Sequence, residues 1–212
     1  MPTALLLGST GLVGSYLLPL LLEAPEYDRV VVLSRRPMEL KHPKMTLVLS
    51  ELADVERSAD LLQADDVFSC LGTTIRLAKT QEAFKAVDYH GPLRVAGLQR
   101  DRAAKRFFVV TSLGAELRSS FFYARVKAEL ERDLGQQGFK KVYIARPSLL
   151  LGQRRESRPA ELIGELGSLP LVPLMRGPWR KYRPIQAAAV AENLLRLARG
   201  LDAREGMEWA LA

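Results

Sequence analysis

Cysteine and histidine are scarce in this 212-residue chain, which contains one cysteine, Cys70, and two histidines, His42 and His90. A single cysteine excludes an internal disulfide framework, and the two histidines form neither a metal-ligand spacing nor a catalytic triad. We therefore assign no metal and no chemistry to the histidines. Cys70 ends an apolar run, and without a neighbouring histidine it is interpreted as a small buried hydrophobe rather than a nucleophile.

Leader sequences and long apolar segments are also missing. The N-terminal MPTALLLGSTG has no basic region before its apolar residues, so it does not match a secretory signal peptide. No run of about 18 apolar residues occurs, so no segment is expected to cross a bilayer. Together with the single cysteine, these features predict a cytoplasmic protein without a membrane partner.

Charge is unevenly distributed along the chain. The chain carries 31 Lys+Arg against 24 Asp+Glu, a net charge of +7, and residues 140–185 hold 10 of the basic residues but 3 of the acidic ones. The basic residues there alternate with proline and leucine and lack the repeated aromatics of nucleic-acid surfaces, so we expect no nucleic-acid partner. A site for an anionic small molecule and a solvated basic face are both compatible with this segment.

Six apolar runs alternate with helical segments, and their near-continuous apolarity is typical of parallel strands covered on both faces. The predicted strands are residues 3–8, 30–34, 46–50, 66–70, 106–111 and 141–146. The predicted helices are residues 12–24, 53–63, 80–103, 120–137 and 187–198, and an edge strand is predicted at 207–212. Pro19 is expected to kink the first helix without ending it. The alternation predicts an α/β fold with a doubly wound parallel sheet.

The first strand leads directly into GSTGLVG, in which Gly8, Gly11 and Gly14 precede an amphipathic helix. Glycine at position 8 permits a tight turn, Gly11 allows the backbone to approach a pyrophosphate, and Gly14 lets the helix pack close to the strand. The start of the helix offers free N–H groups to the same pyrophosphate. A plain strand-to-helix turn, the alternative, rarely needs three spaced glycines, so a dinucleotide site is predicted. Its predicted cofactor-binding residues are Gly8, Ser9, Thr10, Gly11, Leu12, Val13 and Gly14.

The second predicted strand ends in Ser34, Arg35 and Arg36, about 20 residues after the glycines, where the adenosine ribose of a bound dinucleotide lies. An NAD site needs a carboxylate there to accept from the ribose 2′-hydroxyl, whereas arginines offer bidentate contacts to a 2′-phosphate. The pair therefore favours NADP and predicts tighter binding of NADPH than of NADH. The alternative is that both arginines are solvated at a strand end.

Tyr123 and Lys127 lie four positions apart in SSFFYARVKAELE (119–131), near the start of a predicted helix. Positions i and i+4 share one helix face, so both side chains reach the same ligand. The spacing alone is too common to identify a site. The helix follows a strand that ends near Ser112, however, and sites in parallel sheets lie at the carboxyl ends of strands.

These three side chains suit proton and hydride transfer. A phenol with a pKa of about 10 is a poor base at neutral pH, but an ammonium about 5 Å away is worth roughly 3 kcal/mol at an effective dielectric of 20, or about two pKa units. Tyr123 is therefore the predicted proton donor or acceptor, and Lys127 supports it and holds the nicotinamide ribose. Ser112 is predicted to hydrogen-bond the reacting oxygen, while the cofactor carries the hydride.

Together these motifs resemble the short-chain dehydrogenase/reductase superfamily. The chain is similar, more narrowly, to the atypical branch that contains the oxidoreductase-like HIV Tat-interacting protein and its bacterial relatives. The segments that carry this resemblance are CLGTT (70–74), SSFFYARVKAELE (119–131) and ARPSLLLGQRRESRP (145–159).

The resemblance implies a Rossmann fold, NADPH binding and a catalytic set of Ser112, Tyr123 and Lys127. It also implies further residues along the cofactor, namely Cys70, Leu71, Gly72, Arg146, Pro147 and Ser148. Many extended members of the superfamily have an asparagine in the helix pattern that reads VDYHG here. Asp88 takes its place, so the role of that amide does not carry over.

The length and the 48% hydrophobic content predict one domain over residues 1–212, with residues 148–184 as a small lid on the substrate side. In that segment Arg154, Arg155 and Arg158 either contact an anionic substrate or solvate the lid. An NADPH-dependent oxidoreductase acting on a small carbonyl or alcohol is the first predicted function. The alternative is an NADPH-binding regulatory protein that couples cofactor occupancy to a protein partner. The helices at 80–103 and 120–137 could also pair across a homodimer.

Overall fold

The computed structural model describes residues 2–102, 104–152, 183–203 and 208–211. Nine strands lie within these ranges: β1 (Thr3–Leu7), β2 (Arg29–Ser34), β3 (Met45–Leu49), β4 (Asp66–Ser69), β5 (Arg106–Val110), β6 (Lys141–Arg146), β7 (Leu150–Leu151), β8 (Ile185–Gln186) and β9 (Glu208–Leu211). Seven of them form one sheet in the order β3-β2-β1-β4-β5-β6-β9. β7 and β8 form a separate parallel pair.

The strand order confirms the predicted doubly wound sheet. The first six strands are parallel, while β9 runs antiparallel to β6 and is the predicted edge strand. From β1 the chain builds outward through β2 and β3, then returns to the other side of β1 and builds outward through β4, β5 and β6. Ligands of such sheets bind where the winding direction reverses, at the carboxyl ends of the strands. Here that point lies between β1 and β4.

The helices largely follow the prediction, with three differences, the first of which is a short helix at Ile75–Ala78 that was not predicted. They are α1 (Leu12–Glu23), α2 (Ile75–Ala78), α3 (Gln81–Lys85), α4 (Gly91–Arg100), α5 (Phe122–Gly135) and α6 (Ala187–Ala198). α1 continues through Pro19 without a break. Residues 53–63, predicted as an α-helix, contain instead a 3-10 helix at Val55–Leu62. Its buried residues still form one apolar face. The spacing of apolar residues in the sequence therefore identified a helical segment, but it did not distinguish a 3-10 helix from an α-helix.

The helix predicted at 80–103 is interrupted by a π-helical turn at Ala86–His90, between α3 and α4, and ends at Arg100. The N–H of Gly91 donates to the carbonyl of Ala86, five residues back, which is the π spacing. Pro92 explains the wider turn, because proline has no N–H for the carbonyl of Asp88 and its ring would clash with that carbonyl in a regular α-helix. The turn places Asp88 in the interior, 1% exposed.

Aromatic rings stack across the middle of the sheet. Phe68, Phe108 and Tyr143 occupy paired positions on adjacent strands, with ring centroids 4.6 and 4.8 Å apart. They lie on the face covered by α1 and α6. Alternate residues of the same strands pack on the opposite face against α4, α5 and the 3-10 helix. Both faces are therefore covered, as the apolar runs predict.

A buried ion pair lies at the amino ends of β4 and β5. Asp66 is 1% exposed and accepts hydrogen bonds from Arg106 Nε at 2.7 Å and from Tyr27 Oη at 2.6 Å. Arg106 Nη1 also donates to the carbonyl of Ala198 at the end of α6. These contacts connect the amino ends of β4 and β5 to α6. This edge of the sheet is the one opposite the ligand-binding edge.

The predicted lid lies largely outside the described residues. Residues 153–182, which include Arg154, Arg155 and Arg158, belong to this part of the chain. The flanks are described, and Leu150 and Leu151 pair with Ile185 and Gln186. Within the described ranges, no helix has the length and apolarity needed to cross a membrane.

Candidate functional site

Strand register brings the predicted site segments to one edge of the sheet. Leu7 pairs with Leu33 on one side and with Ser69 on the other, so Gly8 and Cys70 leave the sheet beside Ser34, the last residue of β2. Further along the same edge, Val110 pairs with Ala145, and the N–H of Thr111 donates to the Ala145 carbonyl at 2.8 Å. The glycine turn, the arginine pair and the segment that contains Ser112 therefore share the carboxyl edge of the sheet.

The glycine turn is too tight for side chains at two of its three glycines. Gly8 has φ +76°, and a Cβ there would lie 2.6 Å from the Cys70 carbonyl oxygen. A Cβ on Gly14 would lie 2.1 Å from the Gly8 carbonyl oxygen, which already accepts from the Gly11 N–H at 2.9 Å. Glycine at positions 8 and 14 is therefore required by close backbone packing, as predicted from the motif.

The start of α1 fits an anionic group. Gly11 is the N-cap, so no side chain caps the helix, and the first turn contains no acidic residue. The N–H of Ser15 donates to the Gly11 carbonyl at 2.9 Å, whereas the N–H groups of the first turn have no partner within the helix. These N–H groups and the positive end of the helix dipole together suit a pyrophosphate.

The segment after β2 holds its two arginines in a small turn. Ser34 Oγ donates to the Arg36 carbonyl at 2.8 Å and accepts from the Arg36 N–H at 3.2 Å. The Ser34 hydroxyl is thus engaged within its own loop, and the side chains of Arg35 and Arg36 are exposed beside the glycine turn. A contact of 3.5 Å between Ser9 Oγ and Met38 Sδ joins the two loops.

Tyr123 and Lys127 share one face of α5, as their spacing predicts. Lys127 Nζ lies 5.9 Å from the centroid of the Tyr123 ring, and the Tyr123 side chain is partly exposed while Lys127 is buried. The ring of Tyr123 also contacts Phe84 of α3, with centroids 5.6 Å apart. The buried cation therefore lies beneath a phenol that solvent and ligands can reach.

Lys127 has a buried partner that sequence reasoning missed. Its Nζ lies 2.8 Å from Asp88 Oδ1, and the other carboxylate oxygen of Asp88 accepts from the Thr73 N–H at 2.8 Å. Burial acts to lower the pKa of Lys127, but the negative charge of Asp88, with contributions from Tyr123 and Glu131, raises that pKa above its ordinary value. Lys127 is therefore an ammonium at neutral pH.

Ser112 lies on the loop after β5, apart from this pair. Its Oγ donates to the Leu113 carbonyl at 3.0 Å. Among the described residues, no hydrogen bond joins Ser112 to Tyr123 or Lys127. The structure thus brings Tyr123 and Lys127 together and places Ser112 on the same sheet edge, not hydrogen-bonded to either of them.

A second network, also missed from the sequence, joins α5 to Thr111, the residue after β5, and to β6. Glu131 accepts from Thr111 Oγ1 at 2.5 Å and from Arg146 Nη2 at 2.6 Å. The Arg146 guanidinium, which the family resemblance places along the cofactor, thus binds a carboxylate of α5. Hydrogen bonds also hold Pro147 and Ser148, the residues that follow Arg146. The Leu113 N–H donates to the Pro147 carbonyl at 2.8 Å, and Ser148 Oγ donates to the Arg183 carbonyl.

At this edge of the sheet Cys70 acts through its backbone carbonyl and N–H groups, and its thiol has no chemical role. Its carbonyl oxygen packs against Gly8, and its N–H donates to the Leu7 carbonyl at 3.0 Å. Burial raises the pKa of the Cys70 thiol to about 12, so the thiol is neutral at physiological pH. Its side chain is only partly buried, where it packs against the core beneath α1, so Cys70 acts as a small hydrophobe rather than a nucleophile.

Comparison with known proteins gives one family match and many relatives. A family profile described as HIM1 matches residues 41–168. The chain is 40% identical over 156 residues to a protein of Meyerozyma guilliermondii named "Protein FMP52, mitochondrial", covering 73% of this chain and 67% of that protein. It is 35% identical over 171 residues to "Protein HTATIP2" of Rattus norvegicus, covering 78% of this chain and 70% of the relative. The last match confirms the resemblance to the Tat-interacting protein.

The names of the fungal relatives correct one prediction. FMP52 proteins from several fungi, at 30% to 40% identity to this chain, are named mitochondrial. The predicted cytoplasmic location is therefore contradicted by the names of these relatives. The prediction used the lack of a secretory signal and the single cysteine, neither of which distinguishes the cytoplasm from other reducing compartments.

Solved structures with the same fold include an enzyme determined with NAD+ and a sugar-nucleotide epimerase. The WbmH enzyme of Bordetella bronchiseptica, determined in complex with NAD+, superposes with a TM-score of 0.71 at 19% identity, covering 94% of this chain and 73% of that one. A UDP-glucose 4-epimerase of Thermotoga maritima, determined with UDP-glucose, gives a TM-score of 0.69 at 16% identity, covering 92% and 72%. At such identities the likeness establishes the Rossmann fold alone.

Proposed function

Because this chain belongs to the HIM1 family and its motifs resemble those of atypical short-chain dehydrogenases, we propose that it is an NADPH-dependent oxidoreductase that interconverts a small carbonyl and its alcohol. Tyr123 is the proposed proton donor or acceptor. The observation that carries the proposal is the placement of Lys127 Nζ 5.9 Å from the Tyr123 ring, on the helix that follows β5. This helix begins at the sheet edge that carries the glycine turn.

The described residues offer a place for each part of the cofactor. The free N–H groups at the start of α1 would hold the pyrophosphate, and Arg35 and Arg36 would bind a 2′-phosphate on the adenosine ribose. The backbone of residues 70–72 and of residues 146–148 would border the nicotinamide end. NADP is proposed over NAD because the end of β2 presents two exposed arginines and no carboxylate at this position. When bound, the nicotinamide supplies or accepts the hydride.

The side chains of the chain supply the proton chemistry. In the reducing direction the Tyr123 hydroxyl would donate its proton to the substrate oxygen, and Ser112 would hydrogen-bond the same oxygen. The Lys127 ammonium, buried beneath the ring, stabilises the phenolate that this transfer leaves behind. Asp88 balances that cation in the resting protein, so the site does not carry an isolated buried charge.

Removal of one hydroxyl tests the proposal. Tyr123→Phe is expected to lower NADPH oxidation at least about a hundredfold with a panel of small aldehydes and ketones, because general acid catalysis contributes about 10² to 10⁴ in rate. Its NADPH affinity, measured by calorimetry, should stay within about twofold of the wild type. Tyr143→Phe is the matched control, since Tyr143 stacks on Phe108 in the core and should keep both properties.

Two results would contradict this function. If Tyr123→Phe turns over substrate at the wild-type rate, Tyr123 is not the proton donor. If the wild type binds NADPH tightly but oxidises it with no member of the panel, the alternative of a regulatory NADPH-binding protein gains support. In that case a partner that binds differently to the NADPH-bound and the free protein should be sought.

A further inference from the structure

Asp88 connects two parts of the candidate site. Its Oδ1 lies 2.8 Å from Lys127 Nζ on α5, and its Oδ2 accepts from the Thr73 N–H in the loop that follows β4. The same loop borders the glycine turn, because the Cys70 carbonyl packs against Gly8. A Cβ built on Gly72 would lie 3.8 Å from Asp88 Oδ1, so the carboxylate is directly behind the segment proposed to border the cofactor.

The backbone around Asp88 is shaped to place this carboxylate. Asp88 is the central residue of the π-helical turn Ala86–His90, and such turns often occur at functional sites. Its side chain is 0% exposed, and that of Lys127 is 3% exposed. Burial of two charges is unfavourable unless the charges are close and further hydrogen bonds are made. Asp88 lies 2.8 Å from Lys127 Nζ, and it accepts one such further bond from the Thr73 N–H.

Asp88 is the main counterion of Lys127. The described charged or titratable groups that face Lys127 are Asp88 from the π turn and Tyr123 and Glu131 from its own helix. Glu131 is already bound by Arg146 from β6, with Nη2 and Oε2 2.6 Å apart. An asparagine at position 88 could still accept from the Thr73 N–H, but it would leave a buried ammonium without a balancing charge.

We infer that Asp88 is a positioning residue, which keeps Lys127 charged and fixed beneath Tyr123 and ties this cation to the loop at residues 71–73. The effect of Asp88 on turnover rests on the proposed function. Its effect on Lys127 does not, because the ion pair exists without any substrate. The two consequences can therefore be measured separately.

The experiment compares the wild type with Asp88→Asn and Asp88→Glu. Titration of Lys127 is followed by NMR in protein with labelled lysine side chains, and the Lys127 signal is assigned by its loss in Lys127→Met. Asp88→Asn should lower the Lys127 pKa below that of the wild type, because burial is then unopposed by its nearest carboxylate. Asp88→Glu restores a carboxylate and should move the titration back toward the wild type.

Turnover supplies the second readout. In Asp88→Asn, kcat for NADPH oxidation should fall at least about tenfold at pH 7, and its pH profile should shift with the Lys127 titration. KM for the carbonyl substrate should change less than kcat, since Asp88 does not reach the open side of the site. Asp66→Asn is the matched control, because it breaks a buried carboxylate–arginine pair at the opposite edge of the sheet. It should lower stability while leaving the Lys127 titration and the pH profile unchanged.

The outcomes separate the two proposals. An unchanged Lys127 titration in a folded Asp88→Asn protein overturns the inference, whatever the turnover. If Asp88→Asn does not fold, Asp88→Glu is compared with the wild type instead. The inference is then rejected if the pH profile of Asp88→Glu does not follow its Lys127 titration. If the wild type turns over no carbonyl, the proposed function fails, while the titration still tests the role of Asp88.

Discussion

Lys127 Nζ and Asp88 Oδ1 lie 2.8 Å apart, and both side chains are almost fully buried. This relationship changes the electrostatics of the candidate site. From the sequence, Lys127 is expected to act on Tyr123 as a single positive charge. In the structure it acts as one half of a nearly neutral pair, so part of its attraction for a phenolate is offset by Asp88. The residue at position 88 therefore contributes to the electrostatics of the site together with Tyr123 and Lys127.

Loss of one member of this pair should destabilise the protein more than loss of both. Lys127→Met leaves a buried carboxylate without its cation, and such changes typically cost about 3 to 5 kcal/mol. The double variant Lys127→Met/Asp88→Asn has no buried charge at this place and should recover at least about 1 kcal/mol. Urea unfolding at pH 7 measures the free energy of unfolding of the single and the double variant. Additive effects of the two substitutions would show that the side chains are not coupled.

The pair also predicts how stability depends on pH. The raised pKa of Lys127 means that the folded protein holds this proton more tightly than the unfolded chain does. Its contribution to stability is therefore complete below the ordinary lysine pKa of 10.5 and is lost as the pH rises through the folded pKa. Between pH 7 and 9 the wild type should show almost no pH dependence from this group, because both the folded and the unfolded lysine stay protonated.

In Asp88→Asn the sign reverses. Burial then lowers the Lys127 pKa, so the unfolded chain binds more protons and the free energy of unfolding rises with pH. The slope should reach up to about 1.4 kcal/mol per pH unit between the lowered pKa and about 10.5. Urea unfolding at pH 7, 8, 9 and 10 gives the difference between variant and wild type, in which other titrating groups cancel. Parallel curves for the two proteins would contradict the prediction.

Much of the fold follows from local signals. All six parallel strands were predictable because strands buried on both faces form uninterrupted apolar runs, and the glycine turn was predictable because positions 8 and 14 cannot hold a Cβ. The π turn was not, although Pro92 marks a place where a regular helix cannot continue. The 3-10 helix was not either, since its apolar face has nearly the spacing of an α-helix.

The polar contacts of the site were harder to predict because their partners are far apart in sequence. Asp88 and Lys127 are separated by 39 positions, and Thr111 and Glu131 by 20. One signal was present for Asp88. In the helix predicted at 80–103, the spacing of Phe84, Asp88 and Val95 puts them on one apolar face, and all three are buried in the structure. An acidic residue on such a face must find a buried cation or donor. No comparable pattern identifies which cation it is.

Cofactor preference should depend on the arginines after β2. Arg35→Ala and Arg36→Ala should each weaken NADPH binding by about 1.5 to 3 kcal/mol if that arginine binds the 2′-phosphate, because hydrogen bonds between charged groups are of this size. NADH affinity should change by less than about 0.5 kcal/mol in either variant. Arg57→Ala, which removes an exposed arginine of the 3-10 helix, is the control. Fluorescence titration with both nucleotides measures the effects. Equal affinity of the wild type for NADPH and NADH, or a preference for NADH, would refute the assignment of the arginines.

The glycine turn allows a comparison of two alanine substitutions with nearly the same backbone strain. Gly8 and Gly200 have φ of +76° and +72°, but a Cβ on Gly8 would lie 2.6 Å from the Cys70 carbonyl, whereas a Cβ on Gly200 meets no atom within 4 Å. Gly200→Ala should therefore lose only about 1 kcal/mol of stability, from the left-handed conformation. Gly8→Ala adds the displacement of a backbone carbonyl, which costs about 1 to 3 kcal/mol more.

The same pair separates stability from binding. Displacement of the Cys70 carbonyl shifts the turn that would hold the pyrophosphate, so Gly8→Ala should also weaken NADPH binding at least about tenfold, while Gly200→Ala should leave it unchanged. Thermal unfolding and calorimetric titration of both variants provide the measurements. If Gly8→Ala unfolds more easily yet binds NADPH as tightly as Gly200→Ala does, the glycine turn supports the fold but does not hold the cofactor.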